Sequence, residues 1–106
     1  MHKGHFAHGT VEGTGATINI SCGFTPEYVR VINVDGDAAF DWTDDLADGE
    51  AYKSLTGGTN ALMATLGITP YAGTVGGVGL GFSIGADTDV NVSAQTMIWV
   101  AFSGDS

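Results

Sequence analysis

Apolar residues in this chain fall into short runs separated by glycine, aspartate and proline. The cleanest alternation covers 16–22, where apolar side chains take every second position from Ala16 to Cys22. Because side chains of a β-strand point alternately to opposite faces, this pattern predicts a half-buried strand. The run 96–102 differs, since it is uncharged throughout and rich in β-branched and aromatic residues. That composition predicts a strand in the interior of a sheet rather than at its edge.

The segment 28–42 predicts a β-hairpin. Two apolar runs, 28–34 and 39–42, flank an Asp-Gly-Asp turn signal at 35–37. Phe40 and Trp42 are expected on one face of the second strand. Further strands are expected over 51–55, 60–66, 81–84 and 90–92, and a glycine-rich, irregular connection over 67–81.

These runs give about seven or eight short strands, and no segment makes a convincing helix. A length of 106 residues fits one domain. We therefore predict an all-β single domain, either an antiparallel β-sandwich or a small jelly-roll-like barrel. The domain is expected over 13–106, preceded by a glycine-broken N-terminal arm at 1–12 that orders when it docks on a partner.

The charge balance argues against two classes of partner. The net charge is −9, and the fixed cations are Lys3, Arg30 and Lys53. Nucleic acids and anionic membranes both require clustered basic residues, so neither is expected as a partner. Charged residues make up only 14% of the chain and hydrophobic residues 43%, which favours a folded core over an acidic disordered segment.

Targeting and redox signals are sparse. The first residues are not followed by an apolar secretory segment, and no apolar run approaches the length of a membrane span. With Cys22 as its single cysteine, the chain forms no internal disulfide and no thiolate metal cluster. The simplest interpretation of Cys22 is a small, buried apolar residue.

Three histidines near the start, His2, His5 and His8, are spaced by three. On a helix this spacing would bring the imidazoles together as ligands for a divalent metal. Gly4 and Gly9 interrupt the segment, and an extended chain would separate the rings. We expect no metal here and favour histidines that are exposed or contact a partner.

Glycine-rich segments resemble two catalytic motifs without meeting their requirements. Residues 81–85 match the G-x-S-x-G nucleophile elbow, but that motif needs a helix after the turn and none is expected after Gly85. Ser83 is therefore not expected to act as a nucleophile. Residues 76–81 fail the dinucleotide-binding fingerprint and lack the Lys-Ser/Thr of a P-loop. The chain is predicted to be neither an enzyme nor a binder of cofactors.

The acidic segment 35–50 leaves calcium binding open. Oxygen-rich loops hold Ca²⁺, but EF-hand spacing fails because Ala39 and Phe40 occupy required positions. A solvated, negatively charged loop is the favoured interpretation. Trp42 and Tyr71 could stack on sugars if they were exposed, although core packing is favoured for both.

Residues 23–33, Gly-Phe-Thr-Pro-Glu-Tyr-Val-Arg-Val-Ile-Asn, resemble a GF-x-P-x-x-V-x-V-x-N segment of small tailed-phage proteins. In those proteins the segment precedes a turn and an aromatic strand, as it does here. Residues 81–87, followed by Trp-Val-Ala-Phe at 99–102, are similar as well. The resemblance covers about 23–102.

The resemblance implies a virion component, and the size suggests a head decoration (cement) protein on the capsid exterior, made in the host cytoplasm. Its implied partners are the major capsid protein and other copies of itself, with a trimer favoured. The arm would grip the capsid through Phe6 as the apolar anchor and Val11 as a lesser one, with His5 and His8 as further contacts. The alternative is a receptor- or carbohydrate-binding β-sandwich module of a phage tail or fibre.

Overall fold

The computed structural model describes residues 5–58, 60–73 and 79–104, which form nine β-strands and no helix. The strands are β1 (His5–Glu12), β2 (Ile18–Ser21), β3 (Tyr28–Asn33), β4 (Ala38–Thr43), β5 (Ala51–Leu55), β6 (Asn60–Met63), β7 (Ile68–Tyr71), β8 (Gly81–Ile84) and β9 (Thr96–Ser103).

The strands form two antiparallel sheets. One has six strands in the order β1-β9-β3-β4-β5-β6, and the other has three in the order β2-β8-β7. Every strand pair within the two sheets is antiparallel. The prediction of an antiparallel, all-β single domain is confirmed, and two sheets around a shared core fit a β-sandwich.

The core lies between the inner faces of the two sheets. Phe82 of β8 meets Trp99 of β9 edge to face, with ring centroids 5.5 Å apart. This is a favourable geometry for aromatic rings, and it ties the smaller sheet to the larger one. The remaining buried core side chains come from both sheets and their connections: Ile20, Phe24, Val29, Val31, Ala38, Phe40, Trp42, Ala51, Ile68, Ile84, Val90, Met97 and Ala101.

The hairpin prediction is confirmed. β3 and β4 pair from Tyr28 opposite Thr43 to Asn33 opposite Ala38. Asp37 closes the turn at a φ of 55°, a conformation that aspartate tolerates better than most residues. β9 also meets expectation, because it lies between β1 and β3 rather than at an edge.

Three predicted segments need correction. The strand expected over 60–66 ends at Met63, and the connection expected over 67–81 contains β7. β7 includes Pro70, which is tolerated because β7 is an edge strand of the smaller sheet. Residues 90–92 do not form a strand: a turn covers 88–90, since the Asp87 carboxylate accepts hydrogen bonds from the backbone N–H groups of Asp89 and Val90.

Residues 5–12, part of the segment predicted to be a separate arm, form edge strand β1 and pair with β9 over their whole length. Gly9 permits this pairing, because a Cβ at that position would lie 3.0 Å from the Trp99 ring. Half-buried Ala7 and Val11 pack against the core from the same strand. These eight residues are thus built into the sandwich, and residues 1–4 lie outside the described part of the chain.

Candidate functional site

The six-stranded sheet has a second face, directed away from the core, which we call the outer face. Strand alternation places on it every second residue of each strand. Several of these side chains are large, apolar and exposed, with Phe6 at 64% and Leu62 at 58% of full exposure. The large apolar side chains of the outer face are Phe6, Tyr28, Ile32, Tyr52, Leu62, Ile98, Val100 and Phe102.

The apolar side chains of the outer face are neighbours rather than scattered. Phe102 is directly opposite Phe6 on one side and Tyr28 on the other. Two rows further along, Ile98 is opposite Ile32, and Val100 of β9 lies between the two pairs. Directly opposed residues in antiparallel strands have Cβ atoms about 5 Å apart, so these side chains form a continuous patch.

The outer face carries almost no net charge. Arg30 donates two hydrogen bonds to the Asp41 carboxylate, at 2.9 and 3.0 Å, and the Tyr28 hydroxyl donates a third at 2.9 Å. Burial, together with the hydrogen bond and negative charge of Asp41, raises the pKa of Tyr28. Glu12, on the edge strand, is the other acidic residue that alternation places on this face. The other described acidic residues are Glu27, Asp35, Asp37, Asp44, Asp45, Asp48, Glu50, Asp87 and Asp89.

β1 offers a second kind of surface. It pairs with β9 on one side, and no strand pairs with its other side among the described residues. The eight residues contain no proline and no lysine, the usual devices that block strand addition at a sheet edge.

The predicted partner-binding residues all lie on β1 but do not share a face. Phe6 and His8 belong to the outer face, with ring centroids 5.8 Å apart. His5 and Val11 point to the inner side, where the His5 ring stacks on Phe24 at 5.3 Å and Val11 packs against the core. Phe6 and His8 are therefore placed to meet a partner together, whereas Val11 supports the sandwich.

A cleft of about 270 Å³ opens at one end of the sandwich, lined by Thr25, Pro26, Glu27, Trp42, Asp44, Asp48, Pro70 and Ser103. Trp42 is only 1% exposed, and its indole N–H donates to the Ala47 carbonyl at 3.2 Å. The core interpretation of Trp42 is confirmed, and the buried ring leaves no face for a sugar to stack on. Tyr71 is half-buried on β7.

The region around Ser83 is not built as a nucleophile elbow. Ser83 lies within β8, and its hydroxyl donates to Asn19 Oδ1 at 2.6 Å. The flanking glycines serve packing: a Cβ on Gly81 would lie 1.8 Å from the Ile20 carbonyl oxygen, and one on Gly85 would lie 2.4 Å from that of Leu66. These positions therefore require glycine for close backbone approach, independently of any reaction.

The acidic segment is partly engaged in structural hydrogen bonds. Asp35 accepts from the Thr96 N–H at 2.7 Å, and Glu50 accepts from the Ala47 N–H at 2.9 Å. Within the described residues, no group of three or more histidine, cysteine, aspartate or glutamate side chains is arranged to hold a metal ion.

A charged cluster that the sequence did not reveal ties β5 to the β8–β9 connection. The Lys53 ammonium contacts Asp87 at 2.9 Å and Asp89 at 2.6 Å, with only 15% of the lysine side chain exposed. Burial alone disfavours the charged amine, but the hydrogen bonds and charges of the two aspartates outweigh it and raise the pKa of Lys53. The Cys22 thiol is half-buried, donates to the Phe24 carbonyl at 3.2 Å, and has its pKa raised by burial.

No protein-family model, curated protein or solved structure matches this chain. The described residues include no helix that is long and apolar enough to cross a membrane. The candidate sites are therefore defined by geometry and chemistry alone.

The outer face was not predicted from the sequence, although the uniformly apolar run at 97–102 pointed to a strand covered on both sides. A strand with one solvated face alternates apolar and polar residues, whereas a strand covered on both faces is apolar throughout. Residues 97–102 have the second pattern, yet Ile98 and Phe102 are exposed while Met97 and Trp99 are buried.

Proposed function

We propose that this chain is a non-enzymatic structural protein that decorates and stabilises the exterior of a phage capsid, with the major capsid protein as its partner. The observation that supports this most strongly is the free edge of β1, the edge that no other described strand occupies, with the exposed Phe6 near its start. The phage assignment itself derives from the sequence resemblance.

The free edge of β1 suits the addition of a strand from a partner. In this mode of recognition, backbone hydrogen bonds supply affinity and alternate side chains supply specificity. The strand is eight residues long, and its one fixed charge, Glu12, lies at the end opposite Phe6. An extended segment of a capsid subunit can therefore pair along β1.

Phe6 is the natural anchor of this contact. Its ring is 64% exposed and lies beside His8, opposite Phe102 on β9. Large aromatic side chains that become buried at the centre of a contact commonly carry much of the binding energy. The many acidic residues outside the outer face keep the remaining surface soluble and resist non-specific association.

The carbohydrate-binding alternative has weaker support. It required exposed aromatic rings at Trp42 or Tyr71, but Trp42 is buried and Tyr71 is half-buried. A surface for protein contact is thus better supported than a sugar platform.

Binding to heads tests the proposal. Heads that lack this chain, prepared from the phage encoding it, are mixed with purified wild-type protein, sedimented, and the bound copies quantified by mass spectrometry. Wild-type protein is expected to bind in stoichiometric amounts. Phe6→Ser is expected to weaken binding at least tenfold, because the loss of a central aromatic contact costs about 2 kcal/mol or more.

Leu80→Ser is the matched control, because Leu80 is also exposed but precedes β8 of the smaller sheet. This variant is expected to bind as wild type does. Failure of the wild-type protein to bind heads would overturn the proposal.

A further inference from the structure

We infer that the outer face of the six-stranded sheet is an interface between two copies of this chain, which stack face to face about a two-fold axis. The outer face borders the β1 edge and shares Phe6 with it, but the inference does not depend on the capsid assignment. Four observations carry it: the composition of β9, the spread of apolar side chains across the sheet, the charge of the face and its area.

The composition of β9 indicates that both of its faces are covered when the protein is assembled. Residues 97–102 contain no polar side chain, and the smaller sheet covers only the face that bears Met97, Trp99 and Ala101. Ile98 on the opposite face is 39% exposed, and it lies against Ile32 of the neighbouring strand. A β-strand that is apolar on both sides is expected to be covered on both sides, so another protein surface is expected to cover Ile98 and its neighbours.

A second apolar pair lies at the far edge of the sheet, beyond the Arg30–Asp41 ion pair. Tyr52 of β5 lies directly opposite Leu62 of β6, and both side chains are exposed. On its other side Tyr52 is opposite Asp41, the acidic partner of Arg30. A partner therefore meets apolar side chains on β9, β5 and β6, with one compensated ion pair between them.

The distribution of charge favours a second copy of this chain as the partner that covers the outer face. The chain has a net charge of −9, so two copies repel one another except where their acidic residues are absent. The outer face meets that condition, because Arg30 neutralises Asp41 and the other acid is Glu12, on the edge strand. A basic partner would instead favour the acidic loops. A neutral, pleated, apolar surface is complementary to another sheet face, and each copy supplies one.

The area is sufficient for a specific dimer. Six strands about 4.8 Å apart and about six residues long at 3.4 Å each give a face of about 600 Å² per copy. Two such faces bury about 1,200 Å², which is the lower end of the range for stable interfaces. An apolar face that meets the same face of another copy forms an isologous contact, so a two-fold axis closes the assembly at two copies rather than at the three that the sequence resemblance implies.

Sedimentation velocity across a concentration series tests the inference with the purified chain alone. The wild-type protein is expected at twice the chain mass of 10.8 kDa. Ile98→Glu is expected to sediment as a monomer, because it places two like charges in the apolar contact. Leu80→Glu is the matched control, since Leu80 is 42% exposed but belongs to the side of the smaller sheet, and it is expected to remain dimeric.

Leu62→Glu is a second outer-face variant, in case Ile98→Glu does not fold as judged by tryptophan fluorescence. Wild-type protein that stays monomeric at several hundred micromolar overturns the inference, as does a trimer or a dimer that both outer-face variants leave intact.

Discussion

At the scale of single residues, buried asparagines hold the loops of the sandwich in place. Asn91 is 1% exposed and uses all of its polar capacity. Its Oδ1 accepts from the N–H groups of Thr14 and Gly15, and its Nδ2 donates to the carbonyls of Ala16 and Gly85. A buried polar side chain with every partner satisfied fixes one arrangement of the chains around it.

Asn91→Ala is expected to lower the free energy of unfolding by about 2–4 kcal/mol, because it removes the four hydrogen bonds that this buried side chain makes to the backbone. Urea unfolding followed by tryptophan fluorescence measures this loss. Asn60→Ala, at an exposed position on β6, is the control and is expected to change stability by no more than about 0.5 kcal/mol. Equal stability of the two variants would contradict the structural role assigned to Asn91.

Lys53 is expected to make the stability of the folded protein decrease at alkaline pH. Its pKa in the folded protein is raised above the reference value of 10.5. The stabilisation it contributes is therefore complete below that reference value and is lost as the pH rises through the higher folded value. At neutral pH, Lys53→Met is expected to cost about 3 kcal/mol, because Asp87 is then buried without its counter-ion.

Unfolding measured from pH 7 to pH 11.5 checks this expectation. The difference in free energy of unfolding between wild type and Lys53→Met should be largest at neutral pH and should shrink above about pH 10.5. A difference that stays constant over the whole range would show that the ion pair does not stabilise the fold.

At the scale of elements, glycine at the start of β8 allows that strand to approach β2. Gly81 pairs with Ser21, and a Cβ there would overlap the neighbouring Ile20 carbonyl oxygen. Gly81→Ala is therefore expected to destabilise the protein by about 3 kcal/mol, measured as a lower midpoint of urea unfolding. Gly79→Ala is the control, because its nearest contact would be Ser21 Oγ at 3.4 Å. Equal midpoints for the two variants would contradict this packing role.

The strands that could be predicted from the sequence are those in which one buried face produces an alternation of apolar and polar residues. The hairpin of β3 and β4 was predictable because alternating apolar residues and an aspartate-glycine turn agree with each other. β7 was not, because its four residues include Pro70 and a glycine-rich segment separates it from its partner β8. The turn at 88–90 was missed because side-chain bonds from Asp87 override the local preference for a strand.

The candidate sites were predictable only in part. Phe6 and His8 were expected to contact a partner, and they are exposed on one face, although their strand belongs to the sheet. The outer face was not predicted, because it is assembled from six strands whose order is set by long-range pairing. The sequence of 96–102 shows that both sides of β9 are apolar, but only the sheet geometry shows which side is uncovered.

At the scale of the whole molecule, charge and apolar surface are segregated. Most of the acidic residues lie outside the six-stranded outer face, which carries apolar side chains on both sides of one internal ion pair. Such a distribution favours a protein that stays soluble on most of its surface and binds other proteins through one face. The free edge of β1 borders that face, so the two proposed contacts, to the capsid and to a second copy, lie side by side.

Small-angle X-ray scattering over a concentration series tests most directly whether the outer face is covered by a second copy. A single chain has a Cα radius of gyration of 13.2 Å. Two copies stacked at the usual sheet spacing of about 10 Å give about 17 Å, whereas two copies joined edge to edge give about 20 Å. We expect about 17 Å at twice the chain mass for the wild-type protein, and the single-chain value for Ile98→Glu. A single-chain value at every concentration, or about 20 Å, would contradict this expectation.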